Sequence, residues 1–276
     1  MKTLLIINDN SPEAKHAAEF ALVIAQKMQA NIMLVNTVVV PWMVVEKVPA
    51  GFISKGDMSA HPGSEILRHL KALNERQTSF KPGIEEFDIS KMNEHEVIEL
   101  VNRNNIWMMV KGMTDTVPVT AKKSLNIHTV LNRVLCPLLL IPAQWQIKDI
   151  ERLAYIADLR YCRVQVVRFL AMLARPWHAA LSIAHRSANG LPDMAEKYAL
   201  TVFSEEVSQN VNYDNLFFNN IREKDLSKVV DVMINTMHND IMVMVNHRFH
   251  FEEIVGRYIT DTLPPQITVP LLIFPC

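Results

Sequence analysis

The sequence predicts an α/β protein of two doubly wound, open parallel five-stranded sheets with helices on both faces. Three observations carry this. A strand–helix–strand pattern fills the first 40 residues or so, a proline-led apolar run closes each half, and the opening pattern returns at an offset of 149 residues. Leu153, Ile156, Asp158, Phe169, Ala174 and Ala179 repeat Leu4, Ile7, Asp9, Phe20, Ala25 and Ala30 at that offset. Ile241, Met244 and Val245 then match Ile106, Met109 and Val110 at 135, and Pro270, Leu271 and Leu272 match Pro137, Leu138 and Leu139 at 133. These matches divide the chain into domains at 1–145 and 150–276, the second shortened, joined by a short linker near Ala143 to Asp149.

In order, Leu4 to Ile7 is a short apolar strand ended by the polar turn NDNSPE, where Ser11 can cap a helix and Pro12 can sit in its first turn. Ala14, Ala17, Ala18, Ala21, Leu22, Ala25 and Met28 follow at helical spacing, and Asn31 to Val40 is a β-branched second strand. Pro41 to Pro62 is an irregular connection. Ser64 to Gln77 carries Ile66, Leu67, Leu70 and Leu73 on one helical stripe, and Ile84 to Ile89 reads as a polar edge strand. Glu94 to Asn102 is a helix, Ile106 to Val110 a buried strand, Gly112 opens a loop, and Pro137 introduces the last strand of the half. The second half repeats this plan.

Bulk properties exclude several classes. The 276 residues carry a formal charge of −1, which provides no electrostatic case for nucleic acid or an anionic membrane. The three cysteines, Cys136, Cys162 and Cys276, form no CxxC and suggest a reducing compartment. The apolar run at the start is four residues, against roughly 7 to 15 for a secretory leader, and none approaches the roughly 18 of a membrane span, so a cytoplasmic protein is expected. No GxSxG, HExxH or intact Walker loop is present, so no catalytic constellation stands out.

The candidate ligand contacts lie where α/β sheets bind ligands, beyond the carboxyl ends of the strands. In the first half these are Asp9 and Asn10 after the first strand, and Gly112, Met113, Asp115 and Ser124 after the fourth. Asp9 could hold a ribose or base, or serve as a turn or cap residue. In the second half Asp158, His185, His247 and Arg248 converge on adjacent strand ends, with His250 nearby, as a polar cluster able to take an anion. Their spacing matches no metal-ligand signature.

Taken together, these residues resemble a tandem universal stress protein, through LLIINDNSPEAKHAAEFALVIAQKMQANIMLVN, MMVKG and VLCPLLLIP in the first half and LAYIADL, DIMVMVNH and ITVPLLIFP in the second. The resemblance implies a strand order of 3-2-1-4-5 in each half and pairing of two domains through their last strands, here within one chain. Further pairing into a homodimer is left open. It also implies a nucleotide motif, G-x2-G-x9-G-S/T, whose first glycine is Gly112. The second falls on Asp115 and the third on Ser124 or Leu125, and His247 aligns with Gly112 in the other half. A carboxylate at Asp115 would oppose a phosphate by about 4 kcal/mol at 4 Å and an effective dielectric of 20. The expectation is a stress-response binding or regulatory protein without a cofactor. Two alternatives stand beside it: an ATP or AMP sensor using the first cleft, with Asp9, Gly112 and Ser124 as contacts, and a slow nucleotide phosphohydrolase needing metal and triphosphate.

Overall fold

The structure is a computed structural model that describes residues 1–38, 64–114 and 125–276. The irregular connection expected at Pro41 to Pro62 lies outside the described residues, as do Asp115 and Ser124. The first half contributes β1 (Thr3–Asn8), α1 (Pro12–Met28), β2 (Asn31–Asn36), α2 (Glu65–Glu75), β3 (Ile84–Asp88), α3 (Glu94–Arg103), β4 (Met108–Met113), α4 (Ile127–Leu131) and β5 (Leu138–Pro142). The second contributes β6 (Arg152–Ala157), α5 (Val164–Ala174), β7 (Ala180–His185), α6 (Glu196–Val202), β8 (Leu216–Asn220), α7 (Leu226–Asp231), β9 (Ile241–Val245), α8 (Phe249–Ile254) and β10 (Leu271–Phe274).

The two five-stranded halves expected from the sequence run on into each other as one ten-stranded sheet, in the order β3-β2-β1-β4-β5-β10-β9-β6-β7-β8. Each half keeps its own parallel order, and β5 meets β10 antiparallel, with Leu271 opposite Leu140, Leu272 opposite Leu139 and Ile273 opposite Leu138. The reason is chemical. Leu138 to Ile141 and Leu271 to Ile273 are fully buried, and an unpaired edge of buried N–H and C=O groups is costly, so the two edges satisfy each other. The strands left at the margins are β3, with Glu85 and Glu86, and β8, ending in Asn219 and Asn220.

Local chemistry sets the elements. Ser11 caps α1 by accepting from the Ala14 N–H at 3.0 Å, Pro12 opens the helix, and Gln29 closes it in a left-handed conformation. Asn93 and Glu96 form a capping box at α3. The fourth strand is displaced from the expected Ile106 to Val110. It begins at Met108 and runs through Lys111 and Gly112 to Met113, so Gly112 sits inside a strand rather than opening a loop.

Register also corrects the repeat. Met108 lies beside Leu4, and Ile241 lies beside Leu153, so the offset at the fourth strand is 241 − 108 = 133, not 135. Gly112 is therefore matched by Val245, and His247 does not take its place. The halves are locked along the seam as well as across it. Trp145 of the linker packs edge-on against Phe20 at 4.6 Å, Trp107 stacks on Phe169 at 4.6 Å, and Lys111 reaches Asp261 at 3.4 Å. No helix among the described residues is long and apolar enough to cross a membrane.

Candidate functional site

The carboxyl ends of β1 and β4 and of β6 and β9 are equivalent places in the two halves, termed the first and second cleft. In the first, Asn8 at the end of β1 is buried and donates from Nδ2 to Asn36 Oδ1 at 2.6 Å. Asn36 donates in turn to Glu86 Oε1 at 2.9 Å, and Glu86 accepts from the Ser64 N–H at 3.2 Å. These bonds tie the ends of β1, β2 and β3 to the start of α2. They also bend the chain after β1, since the Asn10 N–H donates to Asn8 Oδ1 at 2.8 Å while Asn10 adopts φ 65°. Asp9 is left exposed. One carboxylate oxygen accepts from the Ser11 N–H at 3.1 Å, and among the described residues Asp9 forms no ion pair.

Gly112 has a packing role here. A Cβ at this position would stand 2.2 Å from the Glu13 carbonyl oxygen and 2.9 Å from the Ala14 nitrogen. The first turn of α1 thus lies against bare backbone, a close approach that only glycine permits. Met113 is buried beyond it.

In the second half the carboxylate is enclosed. Asp158 is 4% exposed. Its oxygens accept from Arg160 Nε at 2.9 Å, Arg160 Nη2 at 2.6 Å, the Arg160 N–H at 3.1 Å and the Ala188 N–H at 2.9 Å. Burial alone would raise the Asp158 pKa, but the Arg160 guanidinium and the two backbone N–H groups outweigh it and hold the carboxyl below its usual value. A 3₁₀ turn at Leu159–Tyr161 places Arg160 for this fork-like contact.

His185 ends β7 and is buried. Both the Leu159 N–H, at 3.2 Å, and the Ala157 carbonyl, at 3.4 Å, face its Nδ1. Burial lowers the His185 pKa, against the opposing charge of Asp158. His250 lies 2.9 Å from the Arg186 carbonyl through Nε2, its Nδ1 is buried without a partner among the described residues, and burial lowers its pKa too. Arg248 stands 5.8 Å from the centre of the Tyr161 ring, with its Nε buried and unpaired among the described residues. Asp158, Tyr161, Arg248 and His250 line a space of about 20 Å³, room for a water molecule and not for a nucleotide.

The expected cluster of Asp158, His185, His247 and Arg248 is therefore only partly assembled. His247 turns away at φ 54° and crosses the seam, where Nε2 lies 3.0 Å from Asn132 Oδ1 and the ring meets His128 edge-on at 5.4 Å. Among the described residues no group of three or more His, Cys, Asp or Glu is placed to hold a metal. The residues that sequence reasoning missed are Asn8, Asn36, Glu86 and Arg160. The available signal was a polar side chain at the last position of β1 and of β2, directly after an apolar run.

Residues 1–142 match the sequence model of the universal stress protein family. No curated protein matches the chain in sequence. Among solved structures, a universal stress protein from Archaeoglobus fulgidus superposes with a TM-score of 0.60 at 12% identity, over 99% of this chain and 98% of the other. A Pseudomonas aeruginosa protein assigned to the same family gives 0.56 at 11% identity, over 99% and 93%. A second P. aeruginosa protein, of unknown function, gives 0.54 at 11%, over 99% and 92%. At these identities the likeness concerns the fold.

Proposed function

Because the chain belongs to the universal stress protein family, we propose that it is a stress-response binding or regulatory protein built as two such domains, residues 1–145 and 150–276, paired within one chain, with nucleotide binding largely lost. The internal pairing is supported by the antiparallel contact of β5 with β10. The loss is supported above all by one observation: in the second cleft Asp158, at the position of a ligand-binding acid, is held by Arg160 and Ala188 and has no free face. In the first cleft Gly112, the one glycine of the motif present, is taken up by packing against α1. No catalytic role is assigned to any residue.

A second reading keeps the first cleft as an ATP or AMP sensor. It is favoured by Asp9, which remains exposed and without an ion pair among the described residues. Thermal-shift and calorimetric titration with ATP and AMP separate the two. The leading reading expects no stabilisation at about 100 µM nucleotide, a concentration at which a ligand of about micromolar affinity would add about 2.7 kcal/mol. A melting-temperature rise of several degrees that Asp9→Ala abolishes would establish the sensor instead.

A further inference from the structure

A cavity of about 690 Å³ opens at the amino-terminal end of β4, opposite the first cleft, where α5 and the end of β10 come across the seam. Its volume falls within the roughly 300 to 1,000 Å³ of small-molecule sites. Both halves build it. Ile106, Trp107 and Leu135 come from the first, and Arg163, Val166 and Phe274 from the second.

Its chemistry is one-sided. Two cationic side chains, Lys2 and Arg163, line it, and among the described residues no Asp or Glu does. Among the described residues neither forms an ion pair: the Lys2 ammonium lies 4.9 Å from the centre of the Trp107 ring, and Arg163 donates to the Pro275 carbonyl at 3.2 Å and to Cys276 Sγ at 3.9 Å. The Trp107 Nε1–H is buried without an acceptor among the described residues. Cys136, also in the lining, has its thiol pushed up to about 12 by burial, so it stays neutral and supplies no competing anion. Among the described residues no Asp or Glu side chain reaches these donors.

The apolar part selects the rest of the ligand. The protein supplies the partners of the Trp107 and Phe169 rings itself, with Phe169 stacked on Trp107 at 4.6 Å and Phe274 edge-on to Phe169 at 5.2 Å. Leu135, at 91% exposure, has no apolar cover among the described residues. Ring edges and an uncovered leucine suit a flexible hydrocarbon chain better than a planar ring.

We propose that this seam cavity binds an aliphatic carboxylate, its head group on Arg163 and Lys2 and its chain along Leu135, Val166 and the ring edges. The site is independent of both clefts, and a ligand in it would touch both halves at once.

Isothermal titration of the full chain with octanoate, decanoate and dodecanoate below their micelle concentrations, and with decanol and decyltrimethylammonium, tests it. Binding should tighten about threefold for each added methylene, and the cationic analogue should not bind. Decanol should bind at least tenfold more weakly than decanoate. Arg163→Gln and Leu135→Asp should each weaken decanoate about tenfold at unchanged melting temperature, and Leu135→Asp changes only an exposed side chain. Quenching of tryptophan fluorescence by decanoate should vanish in Trp107→Phe. Absence of binding at millimolar decanoate, equal affinity for acid and alcohol, or unchanged affinity in Leu135→Asp would overturn the assignment.

Discussion

At the end of β1 the chain leaves Asp9 in solvent, whereas at the end of β6 the corresponding turn folds Asp158 beneath Arg160 and against the Ala188 N–H. The difference extends along the neighbouring strands. Asn8, Asn36 and Glu86 form a polar ladder in the first half, and the residues at their places in the second are Ala157, His185 and Phe218. There the His185 ring faces Phe218 at 6.4 Å, and hydrogen bonding is replaced by aromatic packing. It extends to the helix as well. Gly112 admits the first turn of α1, which starts at Pro12, while Val245 takes the same place in β9 and α5 starts at Val164, equivalent to 164 − 149 = 15. One sheet thus carries two ways of finishing the same strand ends, an open hydrogen-bonded one and a closed, buried one.

Substitution at the glycine should break the comparison most sharply. Gly112→Ala places a methyl against helix backbone that cannot move aside, and we expect a loss of about 3 kcal/mol in urea unfolding, whereas Val245→Ala should cost about 1 kcal/mol. Equal losses would show that α1 relaxes freely. Next, Asp158→Ala removes four accepted hydrogen bonds and leaves Arg160 without its partner, so a loss of about 2 kcal/mol is expected, against less than about 0.5 kcal/mol for Asp9→Ala.

The smallest effect is the response to acid. Burial depresses His185 and His250, and burial together with the charge of His247 depresses His128 at the seam. The folded state binds these protons less readily than the unfolded chain, so their contribution is full above the unfolded value of about 6.5 and is lost as pH falls from there to the folded values. Hydrogen exchange at pH 7.5 and 5.5 should show the second half and the seam losing protection first. Asp158 adds a separate loss below about pH 4, because its depressed carboxyl stabilises the fold above the unfolded value and ceases to do so once protonated.

Much of the fold was legible because strands buried on both faces read as unbroken apolar runs. Leu4 to Ile7 and Leu138 to Ile141 are nearly fully buried, as such runs require. The fourth strand was misread by two residues for a physical reason. A slip of two keeps every side chain on its own face, so an apolar pattern alone cannot detect it. The continuation of β4 through Lys111 was hidden in the same way, since the charge is met by Asp261, 150 positions away. The polar ladder at the first cleft links residues 28 and 50 positions apart, a distance over which sequence carries no pairing signal. Asp9, Asp158 and Gly112 were found by position in the strand plan. Whether an acid there is open or closed depends on Arg160, whose reach back over two residues only the 3₁₀ turn reveals.

The join of β5 to β10 has a consequence for mass action. Two separate chains meeting edge to edge dissociate on dilution, and their melting point follows concentration. Here both partners belong to one covalent chain, with the linker held by Trp145 against Phe20, so each edge sees the other at a fixed local concentration. Closure of the sheet is therefore indifferent to how much of the protein a cell contains, and a response tuned to abundance would have to act somewhere other than this seam.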